Sequence, residues 1–208
     1  MRAKISPLII FSWTVLGVCL CPSILRAEGW EVGPTVGVRF GGRLIDQQTG
    51  NSLDIEPSPA MGLTLGRSFN YGNQQAELVY SRQDSEIDLI GVNAVETVDI
   101  TVEQYYFGLT RLYDPYGSEK FRPFLEGLIG ATQLNPDGYK SRLFFSLGAV
   151  VGIKYFATKA LGFRLDGRVF STFTNGSTAV ACSGGCVANY SGSVTWQGEI
   201  SPSVFLRF

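Results

Sequence analysis

Ionisable side chains occupy every second position in several stretches of this chain. Arg164, Asp166 and Arg168 are one such set, and the residues between them are Leu165 and Gly167. Side chains with this spacing fall on one face of an extended strand. Carboxylates and cations gathered in this way either form a plug of salt bridges or line a narrow, gated ion pathway, and the plug is the favoured interpretation. The residues of this phase are Glu31, Arg39, Glu77, Arg122, Glu126, Lys154, Arg164, Asp166, Arg168, Glu199 and Arg207.

The composition excludes several kinds of chemistry. The 208 residues include no histidine, which removes the commonest general base, the Ser-His and Cys-His nucleophile pairs and the commonest metal ligand. Lys and Arg number 17 against 18 Asp and Glu, so no general positive field would hold nucleic acid. We therefore expect no enzyme, no catalytic residue, no cofactor, no bound metal and no nucleic-acid partner.

Two cysteines lie close together near the end of the chain. Cys182 and Cys186 flank Ser183, Gly184 and Gly185. In an exported protein two thiols at this spacing are expected to form a small disulfide, which would stabilise the loop by about 2 kcal/mol. A metal site would need further ligands, and a redox role lacks the usual Cys-x-x-Cys spacing.

The first residues are typical of a secretory signal. Arg2 and Lys4 precede an apolar run over 5–20, and Ala27 supplies a small residue for cleavage. A lipoprotein signal at Cys19 or Cys21 is less favoured because bulky residues precede both. The sequence predicts a cleavable signal peptide over 1–27 and one domain over 28–208.

The mature chain has the two-residue periodicity of β-strands. From Trp196 onwards the even positions are mainly apolar and the odd positions mainly polar. Similar segments lie near 30–40, 60–69, 75–83, 103–113, 121–133, 143–156 and 161–173. Longer and shorter connections alternate between them, as in an antiparallel meander with long loops at one end and tight turns at the other. The prediction is an all-β, eight-stranded antiparallel up-and-down barrel.

The glycines indicate which face of each strand points inwards. Gly62, Gly66, Gly148 and Gly152 all share the polar phase, and a narrow eight-stranded interior needs small residues among large ones. The bulky phase would then face lipid, with aromatic residues near the strand ends as interfacial girdles. A soluble lipocalin-like barrel, apolar inside, is the structural alternative.

The charged residues also predict a register. If the first and last strands close the barrel, Glu31–Arg207 and Arg39–Glu199 have the same sum of residue numbers and lie face to face. Arg168 would approach Glu199 from the other side. Pro34, Pro123 and Pro202 fall inside predicted strands, where proline cannot donate to the ladder, and bulges are expected there.

The second long loop inverts the pattern. Within it the apolar residues take the inward phase and acidic residues the outward one, so a two-stranded ribbon is expected to continue beyond the membrane. Its apolar face would cover the lumen mouth, another loop or a partner, and its residues are Ile87, Leu89, Val98, Ile100 and Val102. Its acidic residues could collect Ca²⁺ or Mg²⁺, but their spacing matches no compact ligand loop, and a solvated face is favoured.

The final strand ends in Val204-Phe205-Leu206-Arg207-Phe208, and Arg122-Pro123-Phe124 opens another. In these residues the mature chain resembles the eight-stranded outer-membrane β-barrels of Gram-negative bacteria, related in plan to OmpA, OmpX, OmpW and the opacity-type surface antigens. The resemblance implies a multi-pass barrel in the outer membrane, in contact with its lipid and lipopolysaccharide. Phe208 would be the signal read by the barrel-assembly machinery.

The same resemblance suggests two functions. The first is a non-enzymatic surface protein that contributes to envelope integrity and to interaction or adhesion through its long loops, with a host or cell-surface partner. The ribbon is similar to the protruding sheet associated with adhesive barrels, whose edges can pair with foreign strands. The alternative is a narrow channel or lateral conduit for small or hydrophobic solutes, which the OmpW likeness implies.

Overall fold

A computed structural model describes residues 29–45, 52–70, 72–90, 95–114, 117, 120–138, 141–174, 178–181, 187–190 and 193–208. The predicted signal peptide, Cys182 and Cys186 lie outside these residues. Within them, no helix has the length and apolar character needed to cross a membrane.

Eight long strands form a closed antiparallel barrel, which confirms the predicted fold. The strands are β1 Trp30–Gly41, β4 Ser58–Phe69, β5 Gln74–Ile90, β6 Val95–Leu112, β7 Phe121–Pro136, β8 Arg142–Phe156, β9 Leu161–Thr174 and β12 Ser193–Arg207. Following the wall from one strand to its hydrogen-bonded neighbour gives the order β1, β12, β9, β8, β7, β6, β5, β4 and back to β1.

Two small hairpins lie in the long connections, where no strand was predicted. β2 Arg43–Ile45 pairs with β3 Ser52–Asp54, and β10 Thr178–Ala181 pairs with β11 Val187–Tyr190. Their segments are too short for a periodicity to be recognised in the sequence. They lie at the end of the barrel opposite the short turns.

The alternation sets the two faces of the wall as predicted. Val36, Leu78 and Val151 are more than half exposed on the outside, whereas Val150 and Glu77 are 1% exposed inside. The aromatic residues at the strand ends also point outwards, among them Trp30, Phe40, Tyr105, Tyr155 and Trp196. An apolar outer band with aromatic edges is the surface that a barrel presents to a bilayer. The lipocalin-like alternative, with the bulky phase inside, is therefore excluded.

The inward glycines lie close against the backbone and side chains of the neighbouring strands. A Cβ on Gly152 would lie 2.6 Å from the Phe124 ring and 2.5 Å from the Leu165 carbonyl oxygen. A Cβ on Gly33 would lie 2.6 Å from the Val204 carbonyl oxygen. Such approaches leave no space for any residue larger than glycine.

The expectation of bulges at the three prolines is wrong, because the register stays constant across each of them. Pro34 pairs with Leu63, Pro123 with Ile153 and Pro202 with Leu165 in unbroken ladders. The seam between β1 and β12 shows where the missing donors lie. Trp30 and Phe208 exchange both backbone hydrogen bonds, so by alternation the absent N–H of Pro34 would face Val204 and that of Pro202 would face Val36.

Both proline defects thus fall on the seam that closes the barrel. The ladder there pairs Glu31, Val32, Thr35 and 38–41 of β1 with β12, and it skips 33, 34, 36 and 37. The seam therefore contains these prolines without a bulge, and it lacks the two backbone hydrogen bonds that their N–H groups would have donated.

Candidate functional site

The lumen holds one continuous chain of ion pairs, which we call the lumen network. It is built from the alternating charged residues of β1, β5, β7, β8, β9 and β12, whose side chains all point inwards. Its buried members are Glu31, Arg39, Glu77, Glu126, Lys154, Arg164, Asp166, Arg168 and Glu199.

The half of the network that lies nearer the short turns is centred on Lys154. Its ammonium donates to Glu31 at 2.8 Å, to the Gln75 side-chain oxygen at 2.5 Å and to Glu77 at 3.3 Å. Gln75 also donates to Glu31 at 2.8 Å. Three acceptors around one ammonium satisfy all its protons, which a cation buried to this extent requires.

Arg164 joins this group to the middle of the barrel. Its guanidinium donates to Glu77 at 2.5 Å, to Glu126 at 2.8 Å and to both oxygens of Asp166 at 2.7 and 2.9 Å. The same guanidinium lies 4.5 Å from the centroid of the Phe124 ring. Carboxylates from three strands therefore converge on a single side chain.

The network ends at Arg39. Arg168 connects Asp166 at 2.7 Å with Glu199 at 3.2 Å, and Glu199 accepts from two nitrogens of Arg39 at 2.6 and 2.9 Å. Arg39 also donates to the Ser81 hydroxyl and lies 5.2 Å from the Phe170 ring. Phe170 stacks on Tyr106, with 5.4 Å between the ring centroids.

The network fills its part of the lumen. A cavity of about 10 Å³ remains between Glu31, Glu77, Lys154 and Arg164, close to the minimum volume for a single water. The arrangement can hold the wall in shape and oppose the passage of ions, because moving any member would leave a buried charge without its partner.

The predicted register is confirmed. Glu31 lies opposite Arg207 and Arg39 opposite Glu199 across the β1–β12 seam, and Glu199 pairs with Arg168 across β9. The Arg207–Glu31 distance is 3.9 Å, however, and Arg207 is 31% exposed. Lys154, which lies on β8, is thus the closer cation of Glu31.

Arg122 lies outside the network, contrary to its expected place in the lumen. Its guanidinium donates to the Gly72 carbonyl at 3.1 Å and to the Asn73 side chain at 2.5 Å. It clamps the β4–β5 turn, because its position near the start of β7 brings it to the rim.

Several residues of the site were missed by the sequence analysis. Gln75 and Ser81 bind members of the network, and Phe124, Phe170 and Phe205 contact its cations. All five lie in the inward phase of their strands, so the alternation could have identified them.

The ribbon extends beyond the barrel wall, as expected. β5 and β6 remain paired as far as Ile90 opposite Val95, whereas β5 pairs with β4 only up to Gln83. Ile100 and Val102 are buried, at 4% and 0% exposure. The side chains of Ile87, Leu89 and Val98 lie outside the described residues.

The first long connection packs against the base of the ribbon. The Ser85 hydroxyl donates to the Glu56 carbonyl at 2.8 Å, and the Glu56 backbone N–H donates to the Glu86 carbonyl at 3.3 Å. Ile55, next to this contact, is 4% exposed. Another loop of the chain therefore contacts the base of the ribbon, whereas what the apolar face of the ribbon covers stays a prediction.

The outer side of the same base is acidic. A recess of about 550 Å³ is lined by Asp84, Glu86, Asp99, Asn135 and Asp137, among others. Asp84 accepts from Arg82 at 2.9 Å and from Thr101 at 2.8 Å. In the part of the chain that the structure describes, no three acidic or cysteine side chains are arranged to hold a metal ion.

No family model and no curated protein matches the chain. Its structure is similar to solved ones. The crystal structure of Neisserial surface protein A superposes with a TM-score of 0.61 at 14% identity, over 87% of this chain and 98% of that chain. The outer membrane protein OprG from Pseudomonas aeruginosa gives a TM-score of 0.56 at 13% identity, over 88% and 98% of the two chains. At these identities the likeness establishes the fold alone.

Proposed function

We propose that this chain, an eight-stranded β-barrel of the Gram-negative outer membrane, is a non-enzymatic structural protein that supports the envelope and presents its ribbon for surface interaction. The lumen would not let solutes pass. The observation that carries the proposal is the lumen network, which joins nine buried charged side chains from six strands. A lumen filled in this way favours a scaffold over a conduit.

The ribbon supports the interaction part of the proposal. Beyond Gln83 the outer edge of β5 receives a backbone hydrogen bond from Glu56 at Glu86, and past Glu86 no described strand pairs with it. β6 pairs with β7 only up to Ile100. The part of the ribbon beyond these contacts, beside an acidic recess of about 550 Å³, offers a strand edge to a partner. We propose a protein or glycan on another cell surface as that partner.

We also propose that the chain does not catalyse a reaction. The chain has no histidine. The hydroxyl of the inward Ser146 lies within hydrogen-bond distance of the Thr132 hydroxyl at 2.7 Å and of the Thr172 hydroxyl at 3.1 Å, so hydroxyls rather than a base surround it. Nucleophilic catalysis by serine needs an adjacent proton acceptor.

The conduit alternative has one observation in its favour. Buried polar atoms without a hydrogen-bond partner occur towards the loop end of the lumen, on Gln83, Gln104, Thr195 and Gln197. Such atoms are normally satisfied by water, and a hydrated half-lumen is the beginning of a pathway.

Two measurements separate these functions. Liposomes containing the barrel should take up small ions and sugars no faster than empty liposomes. Cells that carry a variant in which residues 86–99 are replaced by Asn-Gly, so that a tight turn joins Ser85 to Ile100, should lose adhesion. Heat-modifiable migration on gels would verify that the shortened barrel folds. Uptake above background, with adhesion unchanged by the shortening, would overturn the proposal in favour of the conduit.

A further inference from the structure

The two ends of the barrel carry opposite charge outside the lumen. At the end with the short turns, where β1 begins and β12 ends, the described charged side chains outside the lumen are Arg67, Arg111, Asp114, Lys120, Arg122, Lys159 and Arg207. At the ribbon end they are Glu56, Arg82, Asp84, Glu86, Asp99, Glu103, Asp137 and Arg142. In outer-membrane barrels the short turns face the periplasm. The periplasmic rim is therefore basic and the outer rim acidic.

Arg67 and Arg111 are the members of the basic rim that point outwards from the strands. Arg67 lies opposite Ala76 of β5, and Arg111 lies opposite Gln74 of the same strand. The two arginines thus flank β5, about 10 Å apart across two strand spacings and staggered along the strand by one two-residue repeat. Side chains of this length can approach a common headgroup.

The surroundings of the two arginines are those of a membrane interface. The Arg67 guanidinium lies 5.3 Å from the ring of Trp30, which is 39% exposed. On the barrel side of the pair, Leu78 and Leu109 are each 56% exposed to the bilayer. The arginines therefore lie where the apolar band ends and the headgroup layer begins.

Neither arginine is neutralised by the part of the protein that the structure describes, since no residue in it forms an ion pair with Arg67 or Arg111. Arg82, the outward arginine at the opposite rim, does form an ion pair, with Asp84 at 2.9 Å. The outer arginine has its counter-charge within the chain, whereas the periplasmic pair needs one from its environment.

We infer that Arg67 and Arg111, with Trp30 beside them, form a binding site for the phosphate of an anionic phospholipid in the periplasmic leaflet. Guanidinium groups donate two parallel hydrogen bonds to phosphate, and each cation near a membrane surface strengthens the attraction for anionic lipid. The acyl chains lie along Leu78 and Leu109. The site orients the barrel in the bilayer and is independent of the function proposed above.

The test is native mass spectrometry of the detergent-solubilised full barrel titrated with phosphatidylglycerol, cardiolipin or phosphatidylethanolamine. The unaltered protein should retain the two anionic lipids in preference to phosphatidylethanolamine. The Arg67→Gln/Arg111→Gln variant should lose about tenfold or more of this preference, because two cations contribute. Arg82→Gln is the matched control and should retain it, and heat-modifiable migration verifies folding of all three proteins.

Three results would overturn the site. They are equal retention of anionic and zwitterionic lipid by the unaltered protein, unchanged retention by the double variant, and a loss with Arg82→Gln as large as that of the double variant. A further arm adds inorganic phosphate at millimolar concentration. Phosphatidylglycerol should stay bound, since a lipid is held by its chains as well as its headgroup, and its displacement would identify a free-phosphate site instead.

Discussion

Arg39 and Glu199 lie directly opposite each other across the seam that joins the first and last strands, with 2.6 Å between Nη2 and Oε2. Their side chains are 0% and 2% exposed. The ion pair thus joins the first and last strands inside the barrel, next to the stretch of the seam where the backbone ladder skips positions 36 and 37.

Glu199→Gln should destabilise the barrel strongly. It removes the charge that both Arg39 and Arg168 face, and an uncompensated buried charge costs about 3–5 kcal/mol. Equilibrium unfolding by urea in lipid vesicles measures the change. Asp84→Asn, which breaks the exposed pair with Arg82, should cost less than about 1 kcal/mol. Equal losses in the two variants would contradict a structural role for the lumen network.

Pro202→Val should restore a hydrogen bond at the closing seam. The new N–H would face the Val36 carbonyl, because the hydrogen-bonded positions of this ladder alternate from the Trp30–Phe208 pair. Scalar coupling across the hydrogen bond, observed by NMR, should connect residue 202 to Val36. The neighbouring Ser203 amide faces β9 and should couple to Arg164 in both proteins. Absence of the 202–36 coupling would show that the seam is open for another reason.

Gly152→Ala should lower stability by about 1–3 kcal/mol, the usual cost of overpacking. Its Cβ would meet the Phe124 ring at 2.6 Å and backbone at 2.5 Å, so the ring that covers Arg164 must move. Gly127→Ala on the neighbouring strand is the control, since its Cβ would have no neighbour within 4 Å. Urea unfolding should distinguish the two. A neutral Gly152→Ala would mean that the lumen is not tightly packed at this level.

Asp84, in the ribbon outside the membrane, should titrate at an unusually low pH. Partial burial raises its pKa, but hydrogen bonds from Arg82 and Thr101 outweigh this and hold the pKa below its ordinary value. A depressed pKa stabilises the fold above the unfolded-state pKa, and this contribution is lost as the pH falls through the folded-state value. Carboxyl ¹³C titration by NMR measures the pKa.

Two protein variants test which group lowers the pKa of Asp84. Arg82→Gln should raise the pKa of Asp84, because the charged donor at 2.9 Å is lost. Thr101→Ser keeps the hydroxyl that donates to Asp84 and should leave the pKa unchanged. An unaltered pKa in Arg82→Gln would show that the exposed pair is not formed in solution.

The sequence by itself determined the faces of the wall and the register of its closure. A strand has a side-chain period of two, so a slip of one residue would place Leu78 or Val151 in the lumen and Glu77 or Val150 in lipid. That constraint is local. It can be recognised without knowing which strands are neighbours, and complementary charges at both ends of two strands then suffice to align them.

Only the tertiary structure decided which charges meet across the lumen. Glu31 has Arg207 as its register neighbour, yet its closest cation is Lys154 at 2.8 Å from β8, and Arg164 of β9 reaches Glu77 of β5 on the far side of the barrel. Strand tilt and the narrow diameter bring residues of distant strands to one level. No pattern along a single strand encodes those distances, because they depend on how the whole wall closes.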